Sequence, residues 1–186
     1  KFWQTWEIDT YEEIDLIEVQ TANQGTTNNY NELISYVSES DMTDPAVFDF
    51  LSEWIDIDNH IDYNVAQIFI DNRDWPGNNI KYWRPQLDDG KWRWILYDTD
   101  FGFGVPWMGS GYNFNTLEFA VEANGPNWPN PPWSTFLFRK LLENSSYQKR
   151  FINIFCDRFN TIFDSGYMIN RLDSMALNIQ DIIPNH

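Results

Sequence analysis

The sequence predicts a single domain over residues 1–186, with an α+β fold that is predominantly helical. Apolar residues recur at helical spacing in several segments, which indicates amphipathic helices packed on one core. Two short β-prone runs are joined by an Asp-Gly turn, which predicts a small hairpin in the middle of the chain. A hydrophobic content of 42% is enough for a sizeable core in a chain of 186 residues.

Composition limits the classes of partner. The chain has 28 acidic and 12 basic residues and a formal charge of −16. Such a surface repels nucleic-acid phosphates, so a nucleic-acid partner is excluded. It suits metal cations and basic partners, although an acidic, well-solvated surface without any partner is the simpler interpretation. No apolar run approaches the roughly 20 residues of a membrane span.

The first part of the chain is predicted to contain short elements and a loop. The predicted ranges are a strand over 2–8, a short helix or strand over 11–19, a polar loop over 21–29 and a helix over 30–38. The single cysteine, Cys156, falls in an apolar helical pattern later in the chain. We therefore expect Cys156 to be a buried structural thiol.

Two more helices precede the centre of the chain. Asp44 followed by Pro45 is a strong signal for a helix N-terminus. Asp56 or Asp58 is expected to cap the next helix, whose apolar stripe runs to position 69. That helix leads directly into a polar loop. Functional side chains in the loop would therefore be attached to a rigid element.

The predicted hairpin has strands over residues 80–84 and 91–97, joined through Asp88-Asp89-Gly90. This hairpin reverses the direction of the chain. The polar residues after its second strand are therefore expected to lie beside those that follow the preceding helix. Residues 103–132 read as a long loop, which in a compact domain is usually functional or mobile. Helices then follow, with caps expected at Ser134 and Ser146.

Two spacings in this region suit phosphoryl transfer. Such chemistry needs a carboxylate to orient the attacking hydroxyl, and oxygen ligands that hold a divalent metal against the phosphates. Protein kinases take these groups from an Asp-x-x-x-x-Asn loop and from a later Asp-Phe-Gly. Asp74 and Asn79 have the first spacing, and residues 100–102 have the second tripeptide. Asp and Asn are also common in turns, so the order of the two motifs carries more weight than either alone.

The stretch from residue 68 to 104 also resembles a known family, the CotH or spore-coat protein H kinases, which are atypical members of the protein-kinase-like fold. The matching residues are Asn72-Arg73-Asp74-Trp75, Asn78-Asn79-Ile80-Lys81, Trp83-Arg84, Trp92-Arg93-Trp94 and Tyr97-Asp98-Thr99-Asp100-Phe101-Gly102-Phe103-Gly104. The resemblance implies a kinase-like C-terminal lobe whose small hairpin carries the metal-site aspartates. Most of the smaller N-terminal lobe would be absent, and the chain would be a fragment of a longer protein.

The resemblance also implies residue roles. Asp74 would be the catalytic base, or the residue that orients the hydroxyl, and Asn79 would bind metal through its side-chain oxygen. Asp98 and Asp100 compete for the main metal-binding position, and on a strand they would share a face. The simpler interpretation of all four is turn and strand-end hydrogen bonding.

Two basic residues, Lys81 and Arg73, are further candidates for contact with phosphate or nucleotide. A strand-edge cation and a loop ion pair are their respective alternatives. The sequence departs from ordinary kinases at Asn72, where a histidine is usual. It also has no glycine-rich loop and no recognisable lysine–glutamate pair for the nucleotide. The chain alone is therefore expected to fold and bind metal, with phosphate transfer requiring the parent.

The functional hypothesis is an ATP-dependent protein Ser/Thr kinase that uses Mg²⁺ or Mn²⁺ and a protein substrate. The resemblance also suggests a spore coat, the cell surface or a secreted location. One alternative is a non-catalytic surface module that binds glycans or proteins through its tryptophans and holds a structural cation; it predicts an exposed Trp107 or Trp128. A weaker one is a sugar transferase with Asp98-Thr99-Asp100 as its metal motif. Trp75, Trp83, Trp92 and Trp94 are expected in the core.

Overall fold

The computed structural model describes residues 13–105, 111, 113–123, 128–180 and 182. Within these ranges the chain forms a four-stranded sheet and seven helices, which confirms the mostly helical α+β class. The elements are β1 (Ile14–Glu18), β2 (Thr21–Gln24), α1 (Asn28–Glu39), α2 (Pro45–Trp54), α3 (Ile57–Ile70), β3 (Lys81–Pro85), β4 (Arg93–Ile95), α4 (Thr116–Val121), α5 (Phe136–Leu142), α6 (Ser145–Asn160) and α7 (Ser165–Ile179). The strand expected over residues 2–8 and the side chain of Trp107 lie outside the described residues.

The sheet is antiparallel, with strand order β2-β1-β3-β4. The predicted hairpin is present as β3 and β4, in which Tyr82 pairs with Trp94. The prediction of a loop over 21–29 was wrong at its start, because Thr21–Gln24 forms strand β2 and pairs with β1. Val19, at a φ of 58°, reverses the chain there. Backbone pairing with a neighbouring strand thus outweighs the low β-propensity of these polar residues.

The two predicted aspartate caps are confirmed. Asp44 accepts a hydrogen bond from the Ala46 backbone N–H at 2.9 Å, and α2 begins at Pro45. Asp56, one of the two candidates for the next helix, accepts from the Asn59 backbone N–H at 3.2 Å. These caps position α3, which leads into the polar loop of the centre of the chain.

The serine caps were wrong. The residue at the N-cap of α5 is Thr135, while the Ser134 hydroxyl donates to the Pro131 carbonyl at 2.8 Å. The cap of α6 is Asn144, whose Oδ1 accepts from the Ser146 backbone N–H at 2.9 Å. The Asn144 amide also donates from Nδ2 to the buried Met42 carbonyl, so its oxygen caps the helix while its nitrogen makes a tertiary bond.

An aromatic cluster occupies the core under the sheet. Trp92 is fully buried, donates from Nε1 to Asn29 Oδ1 at 2.9 Å, and contacts the rings of Tyr30 and Tyr82 edge-on. The four tryptophans predicted in the core are all buried: Trp75, Trp83, Trp92 and Trp94. The cluster joins α1 to the hairpin and so supports the strands that lead into the polar loops.

The thiol prediction was wrong, since Cys156 is exposed. The buried residues of α6 are Tyr147 and Phe151, and Cys156 lies off that face. The prediction of a loop over 103–132 also fails in part, because residues Thr116–Val121 form α4. Among the described helices, none combines the length and the apolar character needed to cross a membrane.

His60 ties α3 to α6. Its imidazole is buried, and Nδ1 lies 2.8 Å from the Tyr147 hydroxyl oxygen. Burial lowers the pKa of His60 from 6.5 to about 3, so the ring is neutral at physiological pH. The histidine therefore serves packing and hydrogen bonding.

This histidine makes the stability of the protein sensitive to acid. Between about pH 3 and 6.5 the unfolded chain binds a proton at this residue that the folded chain excludes, so the free energy of unfolding falls as the pH falls. For one group the slope approaches about 1.4 kcal/mol per pH unit. Urea unfolding across this range should give a steeper loss for the wild type than for His60→Gln, and equal slopes would contradict the assignment.

Candidate active site

The polar loop after α3 is anchored to the last turn of that helix. Asp71 ends the helix in the left-handed region, at a φ of 50°. Asn72 is buried, donates from Nδ2 to Gln67 Oε1 at 2.9 Å and accepts at Oδ1 from the Asp74 backbone N–H at 3.2 Å. Because both ends of the Asn72 amide are used, the backbone of Asp74 is held in one place relative to α3.

Two amides hold the carboxylate of Asp74. Asn78 and Asn79 each donate from Nδ2 to Asp74 Oδ2 at 2.9 Å. Asn79 also donates to the Asp98 carbonyl oxygen at 3.2 Å, from a backbone with a φ of 50°. Among the described residues, no donor reaches Asp74 Oδ1. That oxygen is the one available to a hydroxyl brought by a substrate.

The segment after the hairpin is bound to this loop mainly through its backbone. The Arg73 backbone N–H donates to the Phe101 carbonyl at 3.0 Å, and the Phe103 backbone N–H donates to the Ile70 carbonyl. The amide of Asn72 also lies 3.5 Å from the Asp98 carbonyl oxygen. The two sequence motifs thus meet at the end of α3.

Asp98 and Asp100 meet in a turn and not on a strand. Strand β4 ends at Ile95, and Asp98 has a φ of 49°, so the expectation that the two aspartates share a strand face was wrong. A hydrogen bond between their carboxyl groups raises the pKa of Asp98, and partial loss of water and the charges of Asp100 and Asp74 raise it further. Negative charge is therefore crowded at this point.

Lys81 belongs to a second polar cluster beside the first. Its Nζ lies 3.1 Å from Glu18 Oε2 and 4.4 Å from the centre of the Tyr97 ring. The Tyr97 hydroxyl donates to Glu18 Oε1 at 2.9 Å, and Asn23 donates to Oε2 at 2.7 Å. The bond from Asn23, followed by those from Lys81 and Tyr97, lowers the pKa of Glu18.

The two clusters adjoin through Tyr97. Burial and the bond to Glu18 raise the pKa of the Tyr97 phenol, and the charges of Asp98 and Asp74 add to the effect. A lysine–glutamate pair therefore stands next to the aspartates, although the sequence showed none. The pair forms because β1 and β3 are aligned in a register that places Glu18 opposite Lys81. That register is the only feature that could have predicted the pair. Glu18, Asn23 and Tyr97 are the site residues that sequence reasoning missed.

Arg73 is placed apart from the other candidates. Its guanidinium lies over the ring of Phe114 at 4.0 Å and that of Phe119 at 4.7 Å. Its Nη1 is 3.6 Å from Asp71 Oδ1. Of the six candidate residues, Asp74, Asn79, Asp98 and Asp100 come together, Lys81 lies beside them, and the Arg73 side chain enters a separate cavity.

The donor set suits a hard divalent cation. In the described part of the chain, no three His, Cys, Asp or Glu residues are arranged as a metal centre. Mg²⁺, however, is usually held by one or two carboxylates together with substrate phosphates, and not by an all-protein cage. Asp98, Asp100 and the side-chain oxygen of Asn79 are ligands of that kind, and a cation would relieve the crowding that raises the pKa of Asp98.

The comparisons with known proteins agree with the resemblance seen in the sequence. Residues 2–186 match the family described as CotH kinase protein. Searches of curated proteins and of solved structures gave no match. Because the match extends over essentially the whole chain, the chain belongs to the CotH kinase protein family.

Proposed function

We propose that this protein is an ATP-dependent Ser/Thr protein kinase that transfers the γ-phosphate with Mg²⁺ or Mn²⁺. Membership of the CotH kinase family implies a kinase that uses ATP. The observation that carries the finer proposal is the Asn79 amide, which joins the Asp74 carboxylate at 2.9 Å to the Asp98 carbonyl at 3.2 Å. Phosphoryl transfer needs these groups within one site.

Asp74 orients the acceptor hydroxyl in this proposal. Its Oδ2 is engaged by Asn78 and Asn79, so the carboxylate is fixed while Oδ1 accepts the hydroxyl proton. The oxygens of Asn79, Asp98 and Asp100 would hold the metal. When bound, the metal neutralises charge on the transferring phosphate.

Lys81 is the proposed phosphate contact. The ammonium already lies at the edge of the aspartate cluster, beside Tyr97, and Glu18 fixes its position at 3.1 Å. A hydrogen bond from a charged donor contributes about 1.5–3 kcal/mol. Lys81→Met is therefore expected to raise the KM for ATP by about 10- to 100-fold.

Steady-state kinetics at varied ATP would measure this effect. Arg84→Met is the matched control, because Arg84 lies on the same strand but donates to the carbonyls of Pro85 and Leu87 in the hairpin turn. The control should keep the wild-type KM. An equal rise in both variants would assign the effect to the strand and not to the phosphate contact.

The function itself is tested by mass spectrometry. The full-length protein is incubated with ATP and Mn²⁺ or Mg²⁺ and analysed for added phosphate, in parallel with Asp74→Asn and with a metal-chelated sample. Phosphate on serine or threonine of the wild type only, and only with metal, supports the proposal. Absence of phosphate from all samples, with metal still raising the Tm of both proteins, would favour a structural cation instead.

A second candidate function is a binding module without catalysis. The observation that favours it is the side chain of Trp128, which is 49% exposed, as a stacking platform for a sugar would be. This candidate predicts that Trp128→Ala abolishes glycan binding and that Asp74→Asn is tolerated. Glycan-array binding of the wild type and both variants separates the two functions.

A further inference from the structure

A cavity lies on the face of the sheet opposite to Lys81. Lys81 forms its ion pair with Glu18 on one face. Consecutive residues of a strand point to opposite faces, so Tyr82 and its partner Ile17 point the other way, where both line the cavity. Its volume is about 490 Å³, and small-molecule sites range over about 300–1,000 Å³. The cavity is therefore separate from the proposed phosphate contact and large enough for a small molecule.

The walls of the cavity are mostly aromatic and aliphatic. These lining residues are Tyr30, Tyr82, Trp133, Phe136, Ile17, Ile34 and Ile80. Two polar side chains of the lining bond to other protein groups. Asn31 donates from Nδ2 to Thr27 Oγ1 at 3.2 Å, and the Ser134 hydroxyl donates to the backbone at 2.8 Å. Such walls favour a planar apolar ring, which stacks on aromatic side chains.

Arg139 is the one charged residue among the described residues that line the cavity. Its guanidinium is held by two protein acceptors, since Nε donates to Thr135 Oγ1 at 3.2 Å and Nη2 donates to the Pro132 carbonyl at 2.7 Å. No carboxylate among the described residues forms an ion pair with Arg139, although the chain has 28 acidic residues. A positive charge without an acidic partner at an apolar cavity attracts an anion.

We propose that this cavity binds a small amphipathic anion, namely a planar apolar ring that carries one carboxylate. The ring lies among the aromatic walls, and the carboxylate lies on the side of Arg139. A neutral compound with the same ring gains the apolar contacts alone, and a cationic one is repelled by the guanidinium. The charge of the ligand is therefore the property that the site selects.

The cavity adjoins the polar loop that follows α3. Ile80, which lines the cavity, comes directly after Asn79. Pro132, another lining residue, belongs to the segment in which the Pro129 carbonyl accepts from the Gly77 backbone N–H. A ligand in the cavity thus contacts residues adjoining both sides of this backbone bond, and it should restrict motion of the loop.

The test uses three probes that share one ring and differ in charge: naphthoate, naphthamide and naphthylmethylammonium. Each is titrated by calorimetry into the full-length protein without ATP or metal, so the result does not depend on the proposed kinase function. Naphthoate should bind about tenfold tighter than the amide, and the cation should bind most weakly. Equal affinities, or no binding, would overturn the proposal. Displacement of naphthoate by ATP would assign the cavity to the nucleotide and overturn it as well.

Two variants test the role of charge at the cavity. Arg139→Gln removes the positive charge, so naphthoate and naphthamide should bind equally. Should this change prevent folding, Asn31→Asp remains informative, because Asn31 is an exposed lining residue and a carboxylate there can accept from the Thr27 hydroxyl. It should weaken naphthoate binding severalfold and leave naphthamide binding unchanged. Asn153→Asp, at an exposed position of α6, is the matched control and should change neither affinity. Identical titrations for Asn31→Asp and the control would contradict the proposal.

Hydrogen exchange with and without naphthoate tests the link to the polar loop. Backbone N–H groups of residues 72–80 and 132–139 should exchange more slowly when naphthoate is bound. Slower exchange in residues 132–139 alone would overturn the link. Control of phosphate transfer through this loop rests on the proposed kinase function, whereas the exchange measurement does not.

Discussion

Asp74→Asn is expected to lower the rate of phosphate transfer by about 10²- to 10⁴-fold while the fold is retained. The substitution keeps the shape of the side chain, and its amide oxygen can still accept the bonds that Asn78 and Asn79 donate at 2.9 Å. What it removes is the negative charge that draws the proton of the acceptor hydroxyl. Single-turnover measurements with saturating ATP and Mg²⁺ would isolate this step.

Asp89→Asn is the control for this experiment. Asp89 is an exposed aspartate of the hairpin turn, so the same chemical change there should leave the rate unaltered. Thermal melting should give similar Tm values for both variants and the wild type. Wild-type turnover by Asp74→Asn would falsify its role as the group that orients the hydroxyl, and the kinase proposal would then need a different base.

Trp92→Ala is expected to reduce the free energy of unfolding by about 3–5 kcal/mol. Trp92 is fully buried, with its ring 5.1 Å from that of Tyr30 and 5.8 Å from that of Tyr82. The change leaves a cavity and also removes the donor bonded to Asn29 Oδ1 at 2.9 Å. Because Trp92 precedes β4, we also expect less active protein at a given temperature.

Urea unfolding monitored by circular dichroism would measure the loss. Trp128→Ala provides the comparison, since the Trp128 side chain is 49% exposed and should change stability by no more than about 0.5 kcal/mol. Similar losses for the two variants would show that the core described around Trp92 does not carry the stability of the hairpin.

Apart from α4, the helices and the hairpin could be predicted because their signals are local. Asp44 and Asp56 cap helices within a few residues of themselves, and the Asp-Gly turn specifies its own hairpin. Strand β2 could not be predicted, because its polar residues become a strand only through pairing with β1. The cap at Ser146 failed because Asn144, whose amide also bonds to the Met42 carbonyl, took the position. The cap at Ser134 failed because its hydroxyl donates to the Pro131 carbonyl instead.

The two motifs of the candidate site could be recognised in the sequence, but their geometry and the neighbouring Glu18, Asn23 and Tyr97 could not. The spacing of the motifs identified Asp74 and Asn79, but it could not show that the Asn79 amide donates to both Asp74 and Asp98. Asp98 adopts a positive φ after β4 has ended, which no periodicity signals. The pair of Lys81 with Glu18 depends on strand register, and two strands distant in the chain do not reveal their register.

The backbone bonds between the two motifs have a consequence for how this site tolerates sequence change. The Arg73 N–H donates to the Phe101 carbonyl, and the Phe103 N–H donates to the Ile70 carbonyl. Main-chain groups are the same in every residue, so side chains at these four positions can diverge while the two halves of the site stay joined. Proline is the exception, because it has no N–H to donate. Phe103→Pro would therefore remove the bond to Ile70, one of the two backbone bonds that join the halves, without altering any of the acidic side chains.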